Sequence, residues 1–250
     1  MQTFQSDGAE IAYVEEGAGE PILLLHGFAS NAQVNWVDTG WVRHLVRAGR
    51  RVIAMDCRGH GQSQKFYDAA SYGPHVMAGD ARRLLDHLAI TRADVMGYSM
   101  GARHSAFLTL ANPARVRSVV FAGLGSNMVR PMAGTGPIAA ALEAPSMDDV
   151  SNATARTFRA FAEATGSDLK ALAACIRSAR EPITAESIAK IACPVLVAVG
   201  SHDPIGGSAE GLARLIPGAE AFVIEGRDHM KAVGDRTYKD AVTAFLARRA

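Results

Sequence analysis

The sequence predicts an α/β protein, doubly wound, with a mostly parallel sheet, an N-terminal antiparallel hairpin and a small helical insertion. Three observations carry this expectation. Runs that are apolar on both faces alternate with stretches of helical periodicity, as in parallel strands covered on each side by helices. Ahead of them, two alternating segments flank Asp7-Gly8, a dipeptide suited to a tight hairpin turn. Between about Gly123 and Thr184 the alternation is broken by a glycine-rich stretch followed by helical segments.

Taken in order, residues 2–5 and 10–15 form the expected hairpin. Pro21-Ile22-Leu23-Leu24-Leu25, Val52-Ile53-Ala54-Met55 and Ala93-Asp94-Val95-Met96 read as the next strands, followed by 116–122, 194–199 and 221–224. Between them, Val76, Asp80-Ala81, Leu84-Leu85 and Leu88 trace one helical face, and Tyr238, Ala241-Val242 and Phe245-Leu246 trace another. The stretch from Gly123-Leu124-Gly125-Ser126 to Gly134-Thr135-Gly136-Pro137 is glycine-rich and reads as loop. Ser146-x-x-Asp149 has the form of a capping box for a helix bearing Ala155, Phe158 and Phe161-Ala162. Gly166 ends that helix, Ser167 caps the next, which carries Leu169, Leu172-Ala173 and Ile176, and Pro182 stops it. The expected organisation is therefore a core at 1–127 and 185–250 with a helical cap at 128–184.

Composition bounds the function. At 250 residues, 48% hydrophobic and 20% charged, the chain suits one globular domain. Its net charge is +1, and basic runs go no further than pairs such as Arg50-Arg51 and Arg248-Arg249, so no nucleic-acid footprint is read. The start lacks the basic and apolar regions of a signal peptide, and no apolar run approaches a membrane span. Cys57, Cys175 and Cys193 are odd in number and scattered, which suits reduced thiols in the cytoplasm.

The chemistry concentrates at Gly97-Tyr98-Ser99-Met100-Gly101, a G-x-S-x-G pattern between an apolar run and a helical segment. A serine on such a strand–helix turn is exposed at the strand's carboxyl end, and flanking glycines let strand and helix approach. Further signals follow the other strands: His26-Gly27-Phe28, Asp56-x-Arg58-Gly59-His60-Gly61-x-Ser63, Gly200-Ser201-His202-Asp203-Pro204 and Gly226-Arg227-Asp228-His229. Together these motifs resemble the α/β-hydrolase superfamily over nearly the whole chain, in the order nucleophile, acid, histidine.

That resemblance implies Ser99 as nucleophile, His229 as the base that removes its proton, and Asp203 as the acid that orients the imidazole. It implies an oxyanion hole from the backbone N–H groups of Phe28 and Met100. Asp228 competes for the acid role, but a side chain adjacent to His229 reaches its far ring nitrogen poorly. His26 and Asp56 would shape loops. His60 sits in a glycine-rich loop, and His44, His75, His87 and His104 lie on predicted helices. His202 is a candidate for the pocket mouth. Tyr98 stands where many relatives have His, and is expected to reach toward the cap or fill space. Ala102 replaces a glycine and tightens a helix–strand contact.

Serine rather than aspartate at the nucleophile implies acyl transfer, not the alkyl-enzyme chemistry of epoxide hydrolases and haloalkane dehalogenases. The expected reaction is hydrolysis of small-to-medium, mostly apolar carboxylic esters, with Phe28, Met100, Met128, Met132, Met147, Phe158 and Phe161 as candidate pocket lining. Lactone, amide or C–C bond hydrolysis, perhydrolysis, or ligand sensing with slow turnover remain alternatives on the same fold. No metal-ligand spacing and no dinucleotide fingerprint is found, so no cofactor or metal is expected.

Overall fold

A computed structural model describes residues 1–130, 135–178 and 181–248. Asp7 and Gly8 have φ of 51° and 78°, the backbone a two-residue hairpin turn requires. They join β1 (Gln2–Ser6) to β2 (Ala9–Glu16), with Ser6 opposite Ala9. The apolar runs form β3 (Glu20–Leu25), β4 (Arg50–Met55), β5 (Ala93–Tyr98), β6 (Val116–Ala122), β7 (Val195–Gly200) and β8 (Glu220–Ile224). Among the described residues these strands make one 8-stranded sheet, ordered β1-β2-β4-β3-β5-β6-β7-β8. β2 is antiparallel to β1 and β4, and every later pairing is parallel, as expected.

Side chains alternate across the sheet, so each central strand feeds two cores. Leu23, Leu25, Ile53, Val95 and Phe121 pack with Leu84 and Leu85 of α2 (Pro74–His87) and with Ala102 and Phe107 of α3 (Met100–Ala111). Ile22, Leu24, Val52, Met96 and Val120 face the other way. There they meet Trp41 and Leu45 of α1 (Trp41–Arg47) and Tyr238, Val242 and Phe245 of a C-terminal helix, Arg236–Arg248. Burial on both faces explains the unbroken apolar runs.

Between β6 and β7 lie α4 (Thr135–Glu143), α5 (Ala153–Ala164), α6 (Leu169–Arg177) and the short α7 (Ala185–Ile188). α8 (Ala209–Ala213) follows β7, and α9 is the C-terminal helix just described. This region differs from expectation in detail. Thr135-Gly136-Pro137 is the first turn of α4 rather than loop, because proline is tolerated where helix N–H groups have no intrahelical partner; Gly134 lies outside the described residues. The Ser146–Asp149 capping box closes a 3₁₀ turn, Met147–Asp149, and Asn152 caps α5 by accepting from the Ala155 N–H. Asp168, not Ser167, caps α6 through the Ala171 N–H, and α6 ends at Arg177, short of Pro182. Gly166 closes α5 with φ of 64°, as expected. The buried Arg159 of α5 donates to the carbonyls of Ala141, Leu142 and Ala144 at the end of α4, tying the two helices together.

The strand order reverses at β3: β4 lies on one side of it and β5 on the other. Loops leaving the carboxyl ends of β3 and β5 diverge there, which opens a crevice at the switch point.

Candidate active site

Ser99 joins β5 to α3 with φ of 53° and ψ of −109°, a conformation costly for a residue with a side chain. Close packing enforces it. A Cβ on Gly97 would stand 2.2 Å from the Gly101 carbonyl oxygen, and one on Gly101 would stand 2.0 Å from that of Leu25. Both positions therefore require glycine. The Ser99 N–H donates to the Ala122 carbonyl at 2.7 Å, tying the turn to β6.

The loops after β7 and β8 bring Asp203 and His229 to the same place. His229 Nδ1 lies 2.7 Å from Asp203 Oδ2, and His229 Nε2 lies 3.0 Å from Ser99 Oγ. Asp203 Oδ1 accepts the N–H groups of Ile205 and Gly206 at 2.9 and 2.8 Å, which leaves Oδ2 aimed at the imidazole. A carboxylate can only accept, so Nδ1 carries the proton and Nε2 presents its lone pair to the Ser99 hydroxyl. Asp203 and His229 are both buried.

The other candidates fall elsewhere. Asp228 is half-buried and accepts the N–H groups of Met230 and Lys231, the latter holding its carboxyl below the ordinary range. His202 is exposed and lines a separate shallow groove of about 680 Å³ with Pro204 and Ser208, away from Ser99. His26 is fully buried: its Nε2 accepts the Cys57 N–H and its Nδ1 donates to the Gly27 carbonyl. Burial lowers it to about 4, and lowers His60, whose ring lies 5.1 Å from that of His26, to about 3. Asp56 accepts the N–H groups of Ala32 and Gln62, so it knits the loops after β3 and β4 together, and burial raises its carboxyl. His44 meets Thr243, His75 pairs with Glu181, and His87 stacks on Phe4. His104 is buried within α3.

Phe28 and Met100 both neighbour Ser99, but the Met100 side chain packs against the main core and, unlike Phe28, does not form the cavity wall. The Met100 N–H opens α3, where helix N–H groups lack intrahelical partners. The point where a Gly27 Cβ would stand is 3.6 Å from the Ser99 Cβ, so the loop carrying Phe28 passes against the serine. A cavity of about 200 Å³ opens on Ser99 and His229. Phe28, Phe158 and Phe161 wall it, with Phe28 and Phe158 edge to face at 6.0 Å. Met128 is fully buried in the main core and Met147 sits on its 3₁₀ turn, so neither forms this wall; Met132 lies outside the described residues. Asn35, Thr39, Met230 and Val233, absent from the expected lining, do form it. Asn35 lies in the π-helical turn Gln33–Val37 and the others in loops, and nothing in their sequence pattern distinguishes them. Tyr98 fills space against Gly123, one of the two expected roles, and its hydroxyl donates to the backbone carbonyl of His229 rather than facing the cap. Among the described residues no group of three His, Cys, Asp or Glu side chains could hold a metal ion, and no helix is long and apolar enough to cross a membrane.

Against known proteins, a family model described as the α/β hydrolase fold matches residues 20–137. The chain superposes on the enol-lactonase from Burkholderia xenovorans with a TM-score of 0.82 at 21% identity, covering 99% of this chain and 100% of that one. An esterase from Thermogutta terrifontis gives 0.81 at 22% identity, covering 99% of each. This chain is an α/β-hydrolase-fold protein. Over 117 residues the α/β-hydrolase-fold chain is 35% identical to an epoxide hydrolase of Caballeronia sordidicola, covering 46% of itself and 34% of the relative. Over 122 residues it is 37% identical to a 2-hydroxy-6-oxononadienedioate/2-hydroxy-6-oxononatrienedioate hydrolase of Cupriavidus pinatubonensis, covering 45% and 39%. The chain thus spans well under half the length of these curated relatives, which are named as hydrolases.

Proposed function

We propose that the protein hydrolyses small-to-medium carboxylic esters through an acyl-enzyme, without a cofactor. The observation that carries this reading is the unbroken hydrogen-bond chain from Asp203 through His229 to Ser99 Oγ, opening on an aromatic-walled cavity. In this reading His229 Nε2 takes the Ser99 proton as Oγ attacks the ester carbonyl, and returns it to the departing alcohol. Asp203 holds the tautomer and offsets the positive imidazolium. The N–H groups of Phe28 and Met100 take the developing oxyanion, each worth roughly 3–4 kcal/mol of transition-state stabilisation. Water then enters, activated by the same imidazole, and releases the acid. The helical insertion, 128–184, serves as the cap, with Phe158 and Phe161 of α5 over the acyl group.

The cavity wall favours uncharged substrates. Among the described residues it contains no Lys or Arg, so a dioate of the kind named for one relative would enter without a counter-charge. A serine nucleophile also supports acyl chemistry over the epoxide opening named for another.

The test is hydrolysis of p-nitrophenyl acetate, butyrate and octanoate by wild type and Ser99→Ala. Turnover should fall by about a thousandfold or more in the variant, with acetate and butyrate preferred over octanoate. A Ser99→Ala protein keeping more than about a tenth of wild-type turnover overturns the reading.

A further inference from the structure

Ala29, the residue after Phe28, is fully buried and holds φ of 59°, a left-handed conformation that favours glycine. What holds it there comes from the helical insertion. α5 is capped at its C-terminus by Thr165, whose hydroxyl donates to the Ala29 carbonyl at 2.9 Å. The Ala162 carbonyl, 3.0 Å from the same hydroxyl, competes for that proton. It already accepts the Ser167 N–H at 2.9 Å, where the Gly166 turn closes the helix. Among the described residues the Ala29 carbonyl has no backbone donor; the hydroxyls that reach it are those of Thr165 and, at 3.4 Å, Ser167. A buried carbonyl needs a donor, so the Thr165 proton goes to Ala29. Ser167 Oγ lies 2.9 Å from Thr165 Oγ1 and can donate to it in turn.

That bond heads a series that ends beside Ser99. The Ala29 carbonyl belongs to the same peptide group as the Ser30 N–H, which donates to the Gly27 carbonyl at 3.2 Å. The Gly27 carbonyl in turn shares its peptide group with the Phe28 N–H, the donor proposed above for the oxyanion. Peptide groups are planar, so fixing a carbonyl fixes the N–H across from it. Hydrogen bonds in series also polarise one another, each strengthening the next donor. His26 Nδ1 holds the Gly27 carbonyl from the body of the protein at 2.7 Å, whereas the Ala29 carbonyl takes its hydrogen bonds from the insertion.

We infer that Thr165 is a positioning residue: through Ala29 and Ser30 it holds the Phe28 N–H on the oxyanion, so the helical insertion acts on the chemical step as well as on substrate binding. Phe158 and Phe161 of α5 wall the cavity. One helix thus encloses the acyl group and, through the residue that caps it, steadies the donor that stabilises its tetrahedral adduct. This rests on the ester-hydrolase reading above.

Thr165→Val keeps the shape and deletes the donor, but leaves the Ser167 hydroxyl 3.4 Å from the Ala29 carbonyl. Thr165→Val/Ser167→Ala removes both donors, and Thr165→Ser keeps a hydroxyl at 165. Active sites are titrated with a fluorophosphonate, so that unfolded protein does not count. For p-nitrophenyl butyrate, kcat should fall about tenfold in the double variant, with KM within about twofold of wild type; outright loss of an oxyanion donor costs roughly 10²–10³. Thr165→Val should fall between, and Thr165→Ser should restore kcat. Trifluoromethyl propyl ketone reports on the oxyanion itself. Ser99 Oγ adds to its carbonyl carbon, the π pair moves onto the oxygen, and the Ser99 proton passes to His229 Nε2. Its Ki should weaken about tenfold in the double variant. An unchanged kcat and Ki, a loss carried by KM alone, or a loss that Thr165→Ser shares in full, overturns the inference.

The free protein decides independently of turnover. In ¹⁵N-labelled protein, the amide protons of Ser30 and Phe28 should move upfield in Thr165→Val/Ser167→Ala, as their polarisation is lost, and should return toward wild type in Thr165→Ser. Signals that stay in place in the double variant overturn the inference. If wild type neither hydrolyses the ester nor binds the ketone, the ester-hydrolase reading falls by itself, and these signals still decide whether Thr165 sets the Phe28 N–H.

Discussion

The Tyr98 hydroxyl donates a hydrogen bond to the backbone carbonyl of His229, so the residue that precedes the serine holds the loop that carries the imidazole. The Tyr98 ring fills the space above Gly123, where a Cβ would stand 2.7 Å from it, and its centroid lies 5.5 Å from that of His229. The serine turn and the histidine loop, far apart in sequence, are thus coupled through one buried side chain.

Tyr98→Phe keeps the ring and deletes the donor. The His229 carbonyl then loses its buried partner, which costs about 1–3 kcal/mol. We expect a lower midpoint in thermal denaturation and a kcat reduced several-fold with KM little changed, because the imidazole is less well held and the pocket wall is intact. An unchanged kcat would show that the loop holds His229 without Tyr98.

The acid role separates Asp203 from Asp228. Asn at position 203 keeps an acceptor for one side but cannot both satisfy the Ile205 and Gly206 N–H groups and accept from His229 Nδ1. Asp203→Asn should lower kcat by roughly 10³–10⁴-fold, as loss of the correct tautomer does in serine hydrolases. Asp228→Asn keeps the Oδ1 acceptor for Met230 and Lys231 and should stay within about twofold of wild type. Steady-state kinetics on one ester suffices, and the reverse pattern would assign the acid to Asp228.

These contacts mark what a sequence can and cannot announce. The meeting of Ser99, Asp203 and His229 was readable because the turn demands glycine at 97 and 101, and because Asp203 and His229 follow later strands. The strands were readable because burial on both faces leaves few polar positions, buried Asp94 and Ser118 among them. Asn35 was not, since its partner Gly27 and its place in the wall exist only once the π-helical turn folds back on the strand end. The Tyr98–His229 bond joins a side chain to a backbone carbonyl, and a carbonyl carries no residue identity. The capping box at Ser146 misled for a related reason: a serine oxygen satisfies free N–H groups in a 3₁₀ turn as readily as in an α-helix.

Acid should unfold this protein through two histidines outside the chemistry. His26 and His60 are buried neutral, with values of about 4 and about 3 against an ordinary 6.5. As pH falls below 6.5 the unfolded chain takes up protons that the native state refuses until those lower values. Stability therefore rises with pH across this window and is lost on acidification, by up to about 1.4 kcal/mol per pH unit for each imidazole. Asp56, raised by burial, opposes this above its ordinary 3.8. Urea unfolding at pH 7.5 and pH 4.5 should differ by a few kcal/mol, and His60→Asn should reduce the difference by about half. A pH-independent stability over this range would mean that the imidazoles are protonated in the native state.

The cap, in turn, should answer to Arg103. This residue lies one turn beyond Ser99 on α3, is buried, and donates through Nη1 to the Met128 carbonyl at 3.3 Å and through Nη2 to the Glu181 carbonyl. Those carbonyls stand on either side of α4–α6, so one guanidinium on α3, the helix that Ser99 opens, grips both ends of the insertion. Arg103→Met keeps much of the stem packing and removes both charge-assisted bonds, at a cost of about 3 kcal/mol. If the grip fixes the cap, the loss should be local: amides of α4–α6 should exchange with deuterium faster while those of β3, β5 and β6 keep their protection. Arg103→Lys should fall between, because an ammonium lacks the fork needed to span two carbonyls. A uniform loss of protection across sheet and cap would mean that Arg103 supports the whole fold rather than the cap's attachment.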